Sequence, residues 1–381
     1  MKGESKKAEG GKEHEGRRGS HHQTLMRGRL SSVFTFAFCL FTFAFLAPSA
    51  RAAWEKQKTG TFAWLHSVFF VDESKGWAVG GKGALLSTSD GGERWESRKR
   101  PTEDAMHDVF FTDARTGWIV CERSIFAPMA KEESISYLLK TTDGGETWAR
   151  VDVTRGEDVD VKLAGVRFAD AAHGWVYGEE GALYATSDGG ETWARQRVPT
   201  RHLLLGASFV DARTGWLSGG GLTLLTTTDG GASWRAGTVY ALADSSTNEA
   251  PAQSRKGVEA SAARPQVPTT SQRLNAVSFA DASAGWAVGA GGAIFSTSDG
   301  GRSWIPQRSG VESDLSDVKF LDRAEGWAVG GEGTVLHTTD GGRTWKSEMR
   351  QTTHALERLC FVGRRRAWAV GFGGTVVAFK G

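Results

Sequence analysis

Six aspartates occur in the same short motif, and their carboxylates are the first candidates for chemistry in this sequence. Each stands in Thr-x-Asp-Gly-Gly-x-x-Trp, and the six are Asp90, Asp143, Asp188, Asp229, Asp299 and Asp340. Calcium takes about six to eight oxygen ligands, whereas each motif offers one carboxylate and no second oxygen-rich partner. An aspartate can instead accept hydrogen bonds from N–H groups in its own turn, and the glycines supply positive φ. The motif is therefore predicted to be structural, with no metal or cofactor bound.

Seven Gly-Trp pairs divide the chain into repeats that must position these turns. Their tryptophans are Trp77, Trp118, Trp175, Trp216, Trp286, Trp327 and Trp368. Four of the six intervals are 41 residues long, and a period of about 40–45 residues with short strand-like runs is typical of a propeller blade. The sequence therefore predicts an all-β fold, a seven-bladed β-propeller. A phenylalanine precedes each Gly-Trp at a constant place in the repeat and predicts packing between blades: Phe70, Phe111, Phe168, Phe209, Phe279, Phe320 and Phe361.

The last repeat lacks its outer strand, and a segment near the start of the chain can supply it. Trp54 precedes Trp77 by 23 residues, the same interval that separates Trp95 from Trp118. We therefore predict that a strand at Trp54 closes the ring against the segment 374–379. Such closure removes the open edges that would otherwise template aggregation.

The N-terminal segment has the features of an export signal. Arg27 and Arg29 precede an uncharged run rich in Phe and Leu, and the small residues Ala50 and Ala52 follow at the usual cleavage offsets. This order is typical of a secretory signal peptide. We predict a polar, disordered leader at 1–25, a signal peptide at 26–52 and the propeller at 53–381. After cleavage of the signal peptide we expect an extracytoplasmic location, which is periplasmic, secreted or lumenal. An uncleaved membrane anchor is the alternative for the apolar run.

Charge and cysteine content exclude some classes of function. Without residues 1–52 the chain carries a net charge of −3, so it has no global basic footprint for nucleic acid. Cys121 and Cys360 fall in repeats that are not neighbours in the ring, which argues against a disulfide between them. Two cysteines alone also make no metal site.

The repeats resemble a known family. Thr88 to Trp95 and its five sister segments are similar to the Asp-box, or bacterial-neuraminidase repeat. Together with Gly-Trp-Ala-Val-Gly at Gly76, Gly285 and Gly326, the chain from about residue 53 resembles the photosystem II assembly and stability factors of cyanobacteria and plastids. The resemblance implies a non-enzymatic propeller on the lumenal side of a membrane that binds a protein, such as a membrane protein or an assembly intermediate. No lipid anchor is evident, and we expect a monomer.

A glycosidase is the alternative, because Asp-box propellers include sialidases and xyloglucan hydrolases. The mature chain has four tyrosines, none in a nucleophile context, and the Arg-Ile-Pro start motif is missing. A two-carboxylate glycosidase needs a matched pair facing a cleft, but the recurrent aspartates form a column that every blade would contain. We therefore predict no catalytic residue. A carbohydrate-binding propeller stays open as a further alternative.

Insertions that break the repeat point to one face of the ring. Repeat 2 has 12 extra residues between its Gly-Trp and its Asp, four are added between Asp143 and Trp175, and 29 are added at about 243–272, where Ala, Ser, Thr and Pro predict disorder. In a four-stranded antiparallel blade these connections emerge on the same face, here called the insertion face. Insertions gathered on one face often mark the binding face of a repeat protein. Candidate partner-binding residues on it are Trp64, His66, Arg98, Lys99, Arg100, His107, Arg155, Arg201, Arg308 and Arg350.

Overall fold

In the computed structural model the chain forms a ring of seven β-sheets. The structure describes residues 53–124, 134–154, 160–240 and 272–381. The predicted leader, the signal peptide, nearly all of the 29-residue insertion and Arg155 lie outside the described residues.

Every blade is built from short strands, whose bounds follow the repeat. In chain order the strands are β1 (Ala53–Gln57), β2 (Leu65–Phe70), β3 (Gly76–Gly80), β4 (Leu85–Thr88), β5 (Glu96–Ser97), β6 (Ala105–Phe111), β7 (Gly117–Glu122), β8 (Ser136–Thr141), β9 (Ala149–Val151), β10 (Leu163–Phe168), β11 (Gly174–Gly178), β12 (Leu183–Thr186), β13 (Ala194–Arg195), β14 (Leu204–Phe209), β15 (Gly215–Gly219), β16 (Thr223–Thr227), β17 (Arg235–Ala236), β18 (Thr238–Val239), β19 (Leu274–Phe279), β20 (Gly285–Gly289), β21 (Ile294–Thr297), β22 (Ser303–Gln307), β23 (Leu315–Phe320), β24 (Gly326–Gly330), β25 (Val335–Thr338), β26 (Lys346–Ser347), β27 (Leu356–Val362), β28 (Arg366–Gly371) and β29 (Thr375–Lys380). Single turns of 3₁₀ helix follow five of the second strands, at Gly81–Gly83, Glu179–Gly181, Ala290–Gly292, Gly331–Gly333 and Phe372–Gly374.

The sheets have the predicted topology. Six contain four antiparallel strands, and the fifth blade has a fifth strand because β18 pairs in parallel with its outer strand β22. The seventh blade has the order β1-β29-β28-β27, with Trp54 opposite Phe379. The prediction that the N-terminal strand closes the ring is therefore confirmed.

The phenylalanine column packs between blades, as predicted. Phe70 stacks on Trp368 of the preceding blade with ring centroids 3.5 Å apart, and Phe320 stacks on Trp286 at 3.4 Å. Burial of each such ring stabilises the fold by roughly 1.5–3 kcal/mol. Polar groups join the same blades, because Trp368 Nε1 and Trp286 Nε1 donate to the carbonyl oxygens of Gly91 and Gly341 in the next Asp-box turn, at 2.9 and 3.0 Å.

The Asp-box aspartates act within their own turns. Asp299 Oδ1 accepts from Thr297 Oγ1 at 2.8 Å and from the N–H of Ser303 at 3.0 Å, and Thr297 Oγ1 in turn accepts from the N–H of Gly301 at 3.0 Å. The second glycine is required in the first blade, because Gly92 has φ +87° and a Cβ there would lie 2.2 Å from Gln57 Oε1.

The tryptophans that end the Asp-box motifs use their indole N–H groups in two ways. Trp148 and Trp304 donate to a glycine carbonyl of their own turn, both at 3.1 Å. Three others, Trp95, Trp234 and Trp345, donate instead to a glutamine side chain of the preceding blade: Gln57, Gln196 and Gln307. The amides of these glutamines donate to a glycine carbonyl of the same turn and so join two blades.

The connections emerge on two faces, as the strand directions predict. Loops that join second to third strands bond the loops that enter the next blade, for example Gly83 N to Asp104 O at 2.9 Å and Gly374 N to Ala63 O at 2.7 Å. These loops form the insertion face. The Asp-box turns bond the turns after the inner strands, as in Gly91 N to Ser74 O at 2.8 Å, and form the opposite face, here called the Asp-box face.

Candidate functional site

The insertion face carries a cavity at the centre of the ring. Its volume is about 670 Å³, and it is lined mainly by residues at the beginnings of the inner strands. Its lining includes the side chains of Trp64, His66, His107, Glu122, Lys162, Leu203, Arg273, Asn275, Asp314, Glu357 and Arg358. Because all inner strands start on this face, each blade contributes a side chain to the same opening.

Three of the predicted residues meet in this cavity. The rings of Trp64 and His66 lie 5.1 Å apart, and His66 lies 5.3 Å from His107 of the next blade. Trp64 is 45% exposed although it is large and apolar. An exposed tryptophan beside two imidazoles offers flat, partly polar surface, the kind of side chain that is enriched in binding hot spots.

Glu122 connects two neighbouring blades on the cavity wall. Its Oε2 lies 3.0 Å from His107 Nε2, and its Oε1 lies 2.7 Å from Lys162 Nζ. The hydrogen bond from His107, followed by that from Lys162, lowers the pKa of Glu122 to about 2, while the bond to Glu122 raises the pKa of Lys162. Glu122 is therefore ionised and fully engaged at neutral pH.

His66 is uncharged at neutral pH. Burial, with smaller contributions from the neighbouring His107 and from Arg358, lowers the pKa of His66 to about 4. A neutral imidazole has one donor and one acceptor nitrogen. It can therefore pair with either the N–H or the carbonyl of a bound backbone.

The opposite wall is also made of paired charges. Arg273 Nη2 lies 3.0 Å from Asp314 Oδ2, and Asp314 Oδ1 accepts from the N–H of Gly291 at 2.8 Å. Glu357 accepts a hydrogen bond from Trp64, but burial is the larger effect and raises the pKa of Glu357. The cavity thus has polar groups of both signs and no large excess of either.

Apolar side chains at the rim add to the surface. Phe372 is 50% exposed, and its ring lies 5.5 Å from that of Trp64, edge to face. Leu203 lines the cavity on another side and is 37% exposed. Exposed apolar groups of this kind mark interaction sites when they gather around a cleft.

The other candidate cations that the structure describes do not line this cavity. Lys99, Arg100, Arg201, Arg308 and Arg350 are exposed. Arg100 pairs with Glu103 at 3.2 Å and Arg350 with Glu332 at 3.7 Å. Arg201 and Arg308 border two separate cavities of about 450 and 660 Å³.

The prediction that Arg98 contributes to the insertion-face surface is wrong. Its backbone N–H bonds Leu85 O, as the strand pairing requires, but its side chain pairs with Glu146 and borders a cavity of about 280 Å³ with Asp90 and Asp143. The guanidinium therefore lies among the Asp-box turns, because a long side chain on a short outer strand can reach the next blade. Arg98 is not part of the insertion-face surface.

The sequence analysis missed most of the cavity residues, because each occurs in only one repeat at a position where the other repeats have a different residue. His66 and His107 share their column with Asn275 and Glu357, and Lys162 and Arg273 each stand directly before a strand-initial leucine. A comparison of the seven inner strands position by position would have found these residues. Glu122, at the end of β7, has no such signal.

The described part of the chain holds no group of three or more His, Cys, Asp or Glu side chains that could bind a metal ion. In the same ranges, no helix is long and apolar enough to cross a membrane. Cys121 and Cys360 are both buried and free.

Comparison of the sequence with family models gives one match. The model for the photosynthesis system II assembly factor YCF48 matches residues 47–152, 99–200 and 305–380, which together span more than half of the chain. No curated protein sequence matches significantly.

Solved structures show the same architecture. YCF48 bound to a D1 peptide matches with a TM-score of 0.64 and 21% identity, over 86% of this chain and 97% of that one. YCF48 from Cyanidioschyzon merolae matches with a TM-score of 0.63 and 22% identity, over 86% and 99%. A GH74 xyloglucanase from Xanthomonas campestris matches with a TM-score of 0.57 and 14% identity, over 85% of this chain but 53% of the enzyme. At these identities the likeness to the solved structures concerns the fold.

Proposed function

Because this chain belongs to the family of the photosystem II assembly factor YCF48, we propose that it is a non-enzymatic scaffold whose insertion face binds a segment of a partner protein. The central cavity, with Trp64 at its rim, is the binding site. The partner is a membrane protein or an assembly intermediate, and the propeller acts as a monomer outside the cytoplasm. The sequence features of a signal peptide support that location.

The observation that carries the proposal is the exposed Trp64 beside a cavity of paired charges. Protein-binding sites combine aromatic anchors with a polar rim whose hydrogen bonds are satisfied. Trp64 and Phe372 provide the anchor, while the pairs Glu122–Lys162 and Arg273–Asp314 provide the polar rim. Binding of nucleic acid requires a strongly basic surface, and these paired charges do not form one.

The nature of the ligand is supported by a solved relative. YCF48 has been solved with a D1 peptide bound, and we infer that this chain also binds a polypeptide. An extended segment suits a cavity of this kind, because several blades present hydrogen-bond donors and acceptors to its backbone. His66, with both a donor and an acceptor nitrogen, is placed for such a contact.

The carboxylates of the cavity argue against hydrolysis. A glycosidase needs one carboxyl group as acid and a second as base or nucleophile. Glu122 is held by His107 and Lys162, and Asp314 is held by Arg273 and the N–H of Gly291. Glu179 also lines the cavity, as does Glu357, whose pKa is raised, but the two come from the third and seventh blades, which are not neighbours in the ring and so do not form a matched pair.

The experiment compares capture of the partner by matched variants. The full chain and its variants serve as bait for the native membrane fraction, and captured proteins are quantified by mass spectrometry. Trp64→Ala should lower capture of the specific partner at least about tenfold, the effect of losing a hot spot. Ile305→Ala removes an exposed apolar side chain from an outer strand and should leave capture unchanged. Equal capture by both variants would refute the insertion-face site.

A further inference from the structure

The central channel has a second cavity at its other end. It has a volume of about 370 Å³ and is lined by residues from the second halves of the inner strands, so it opens toward the Asp-box face. Half-buried Phe69, Phe110 and Phe361 line it together with the three cations Arg167, Lys319 and Arg358. Arg358 lines the insertion-face cavity as well and so lies between the two.

The β-bulge of each inner strand explains why charged groups face this channel. In all seven inner strands the pairing shifts register after the first leucine or methionine, at Leu65/Ser67 in the first blade and at Leu356/Arg358 in the last. A bulge re-aims the side chain that follows it. Asp108, Asp317 and Arg358 occupy this bulge position, whereas Arg167 and Lys319 stand directly before the phenylalanine column.

The carboxylates of the channel are already occupied by protein donors. Asp108 is fully buried and accepts from Ser67 Oγ at 2.8 Å, from the N–H of Val166 at 3.0 Å and from Arg167 Nη1 at 2.5 Å. Asp317 Oδ1 accepts from the N–H of Val318 at 2.9 Å, and its Oδ2 accepts from the N–H of Leu359 at 3.0 Å. Both aspartates therefore act as bonds between blades.

Two of the three cations of the channel, Arg358 and Lys319, are less well satisfied, whereas Arg167 donates to Asp108 and to the carbonyl oxygen of Val166. Arg358 Nη2 is 3.8 Å from Asp108, and Arg358 Nε is buried without a hydrogen-bond partner in the described part of the chain. Lys319 has the charge of Asp317 as its counter-ion, without a hydrogen bond between the two groups among the described residues. Three cations thus face two carboxylates in a poorly solvated space, where an uncompensated charge is costly.

Titration of the cluster agrees with this imbalance. Burial lowers the pKa of Lys319, with further lowering by Arg167 and Arg358. Burial alone would raise the pKa of Asp108, but Arg167 and Arg358 hold it below its usual value. The site would therefore gain from one more negative charge near Lys319.

We propose that the channel cavity on the Asp-box face binds a small oxyanion, of the phosphate or short carboxylate type, between Arg167, Lys319 and Arg358. Guanidinium groups provide paired donors for such anions, and the lysine adds a point charge. Phe69, Phe110 and Phe361 surround the site with apolar side chains, and the low dielectric constant there strengthens the attraction between the anion and the cations. A cavity of this size accepts a small ion and not a folded partner.

Calorimetric titration of the full chain with inorganic phosphate and, separately, with succinate tests the site. Both titrations are made at constant ionic strength against sodium chloride. Saturable binding of either anion supports the site, and the tighter one identifies the chemical type. Lys319→Met should weaken that binding about tenfold or more, which corresponds to the loss of one charge-assisted contact. Lys75→Met removes a cation near Trp77 on the same face but outside the channel and should bind as the wild type does.

Protection of the unsubstituted chain provides a second measurement that does not depend on the folding of a variant. Acetylation of Lys319 should slow when the bound anion is present, while acetylation of Lys75 should not, as followed by mass spectrometry. Absence of saturable binding by both anions, binding unaffected by Lys319→Met, or equal acetylation of Lys319 with and without anion would each overturn the proposal.

Discussion

Phe70 of the first complete blade stacks on Trp368 of the last blade, with ring centroids 3.5 Å apart and ring planes inclined by 8°. The two residues are separated by almost the whole propeller sequence, yet their contact repeats the one between Phe111 and Trp77 in adjacent blades. The junction at which the ring closes is therefore packed like the junctions within it. Its strength depends on β1, which completes the last blade.

Trp54→Ala should destabilise the propeller by about 3–5 kcal/mol, the cost of deleting a buried tryptophan side chain. Trp54 is 3% exposed and packs against Trp327 and Phe379, at centroid distances of 5.7 and 5.6 Å. The matched control is Glu55→Ala, an exposed neighbour on the same strand, which should change stability little. Chemical denaturation measures both. Equal stability of the two variants would show that β1 is not needed for closure.

Asp299→Ala should destabilise by about 1–3 kcal/mol, because the buried or half-buried donors of its turn lose their acceptor. Metal chelators should leave the melting temperature of the wild type unchanged, since the aspartate is used by Thr297 and Ser303. Scanning calorimetry with and without chelator provides the comparison. A chelator effect as large as that of the substitution would mean that the Asp boxes bind metal.

Stability should fall when the pH decreases from about 6.5 to about 4, and His66 should contribute to the fall. Its pKa is about 4 in the folded chain and about 6.5 when unfolded, so in this window the unfolded state binds the proton and the folded state does not. By linkage, stability then rises with pH, by up to about 3 kcal/mol for this shift. His66→Gln should flatten the dependence measured by denaturation at several pH values. A wild-type slope in the variant would contradict the assignment.

The purified full chain should not hydrolyse a sialoside or xyloglucan. Glu122 and Asp314 of the central cavity are paired with Lys162 and Arg273, and the cavity carboxylates Glu179 and Glu357 come from blades that are not neighbours in the ring. Release of reducing sugar or of a chromogenic leaving group is the measurement. Turnover by the wild-type chain that is lost in Glu122→Gln or Glu357→Gln would show that the protein is an enzyme and not a scaffold.

The fold could be predicted from the sequence because the same motifs recur in every blade. The Gly-Trp tryptophans and the phenylalanine column recur at constant spacing, so each blade predicts the others, and Trp54 could be assigned to the last blade from its register alone. The turn chemistry of Asp299 is local to a few residues and could be predicted in the same way. The glutamine acceptors, such as Gln57, could not, because they come from the preceding blade.

Residues of the binding site could be predicted only at positions that are equivalent from repeat to repeat. Trp64, His66 and His107 were found because they stand at the start of an inner strand. Arg98 was misplaced because strand position gives the face of the backbone and not the direction of a long side chain. The buried cluster around Asp108 and Arg358 depends on the bulge, and register shifts of that kind are seen only once strands are paired.

Site-specific photo-crosslinking tests the central claim, that the insertion-face cavity binds a partner protein. Benzoylphenylalanine replaces Trp64 in one sample and Val210, an exposed residue that follows inner strand β14 on the Asp-box face, in the other. Each full chain is irradiated with the native membrane fraction, and the adducts are identified by mass spectrometry. We expect one specific polypeptide adduct at position 64, mapped to a single segment of the partner, and none at position 210. An adduct to that partner at position 210 and none at position 64 would contradict it.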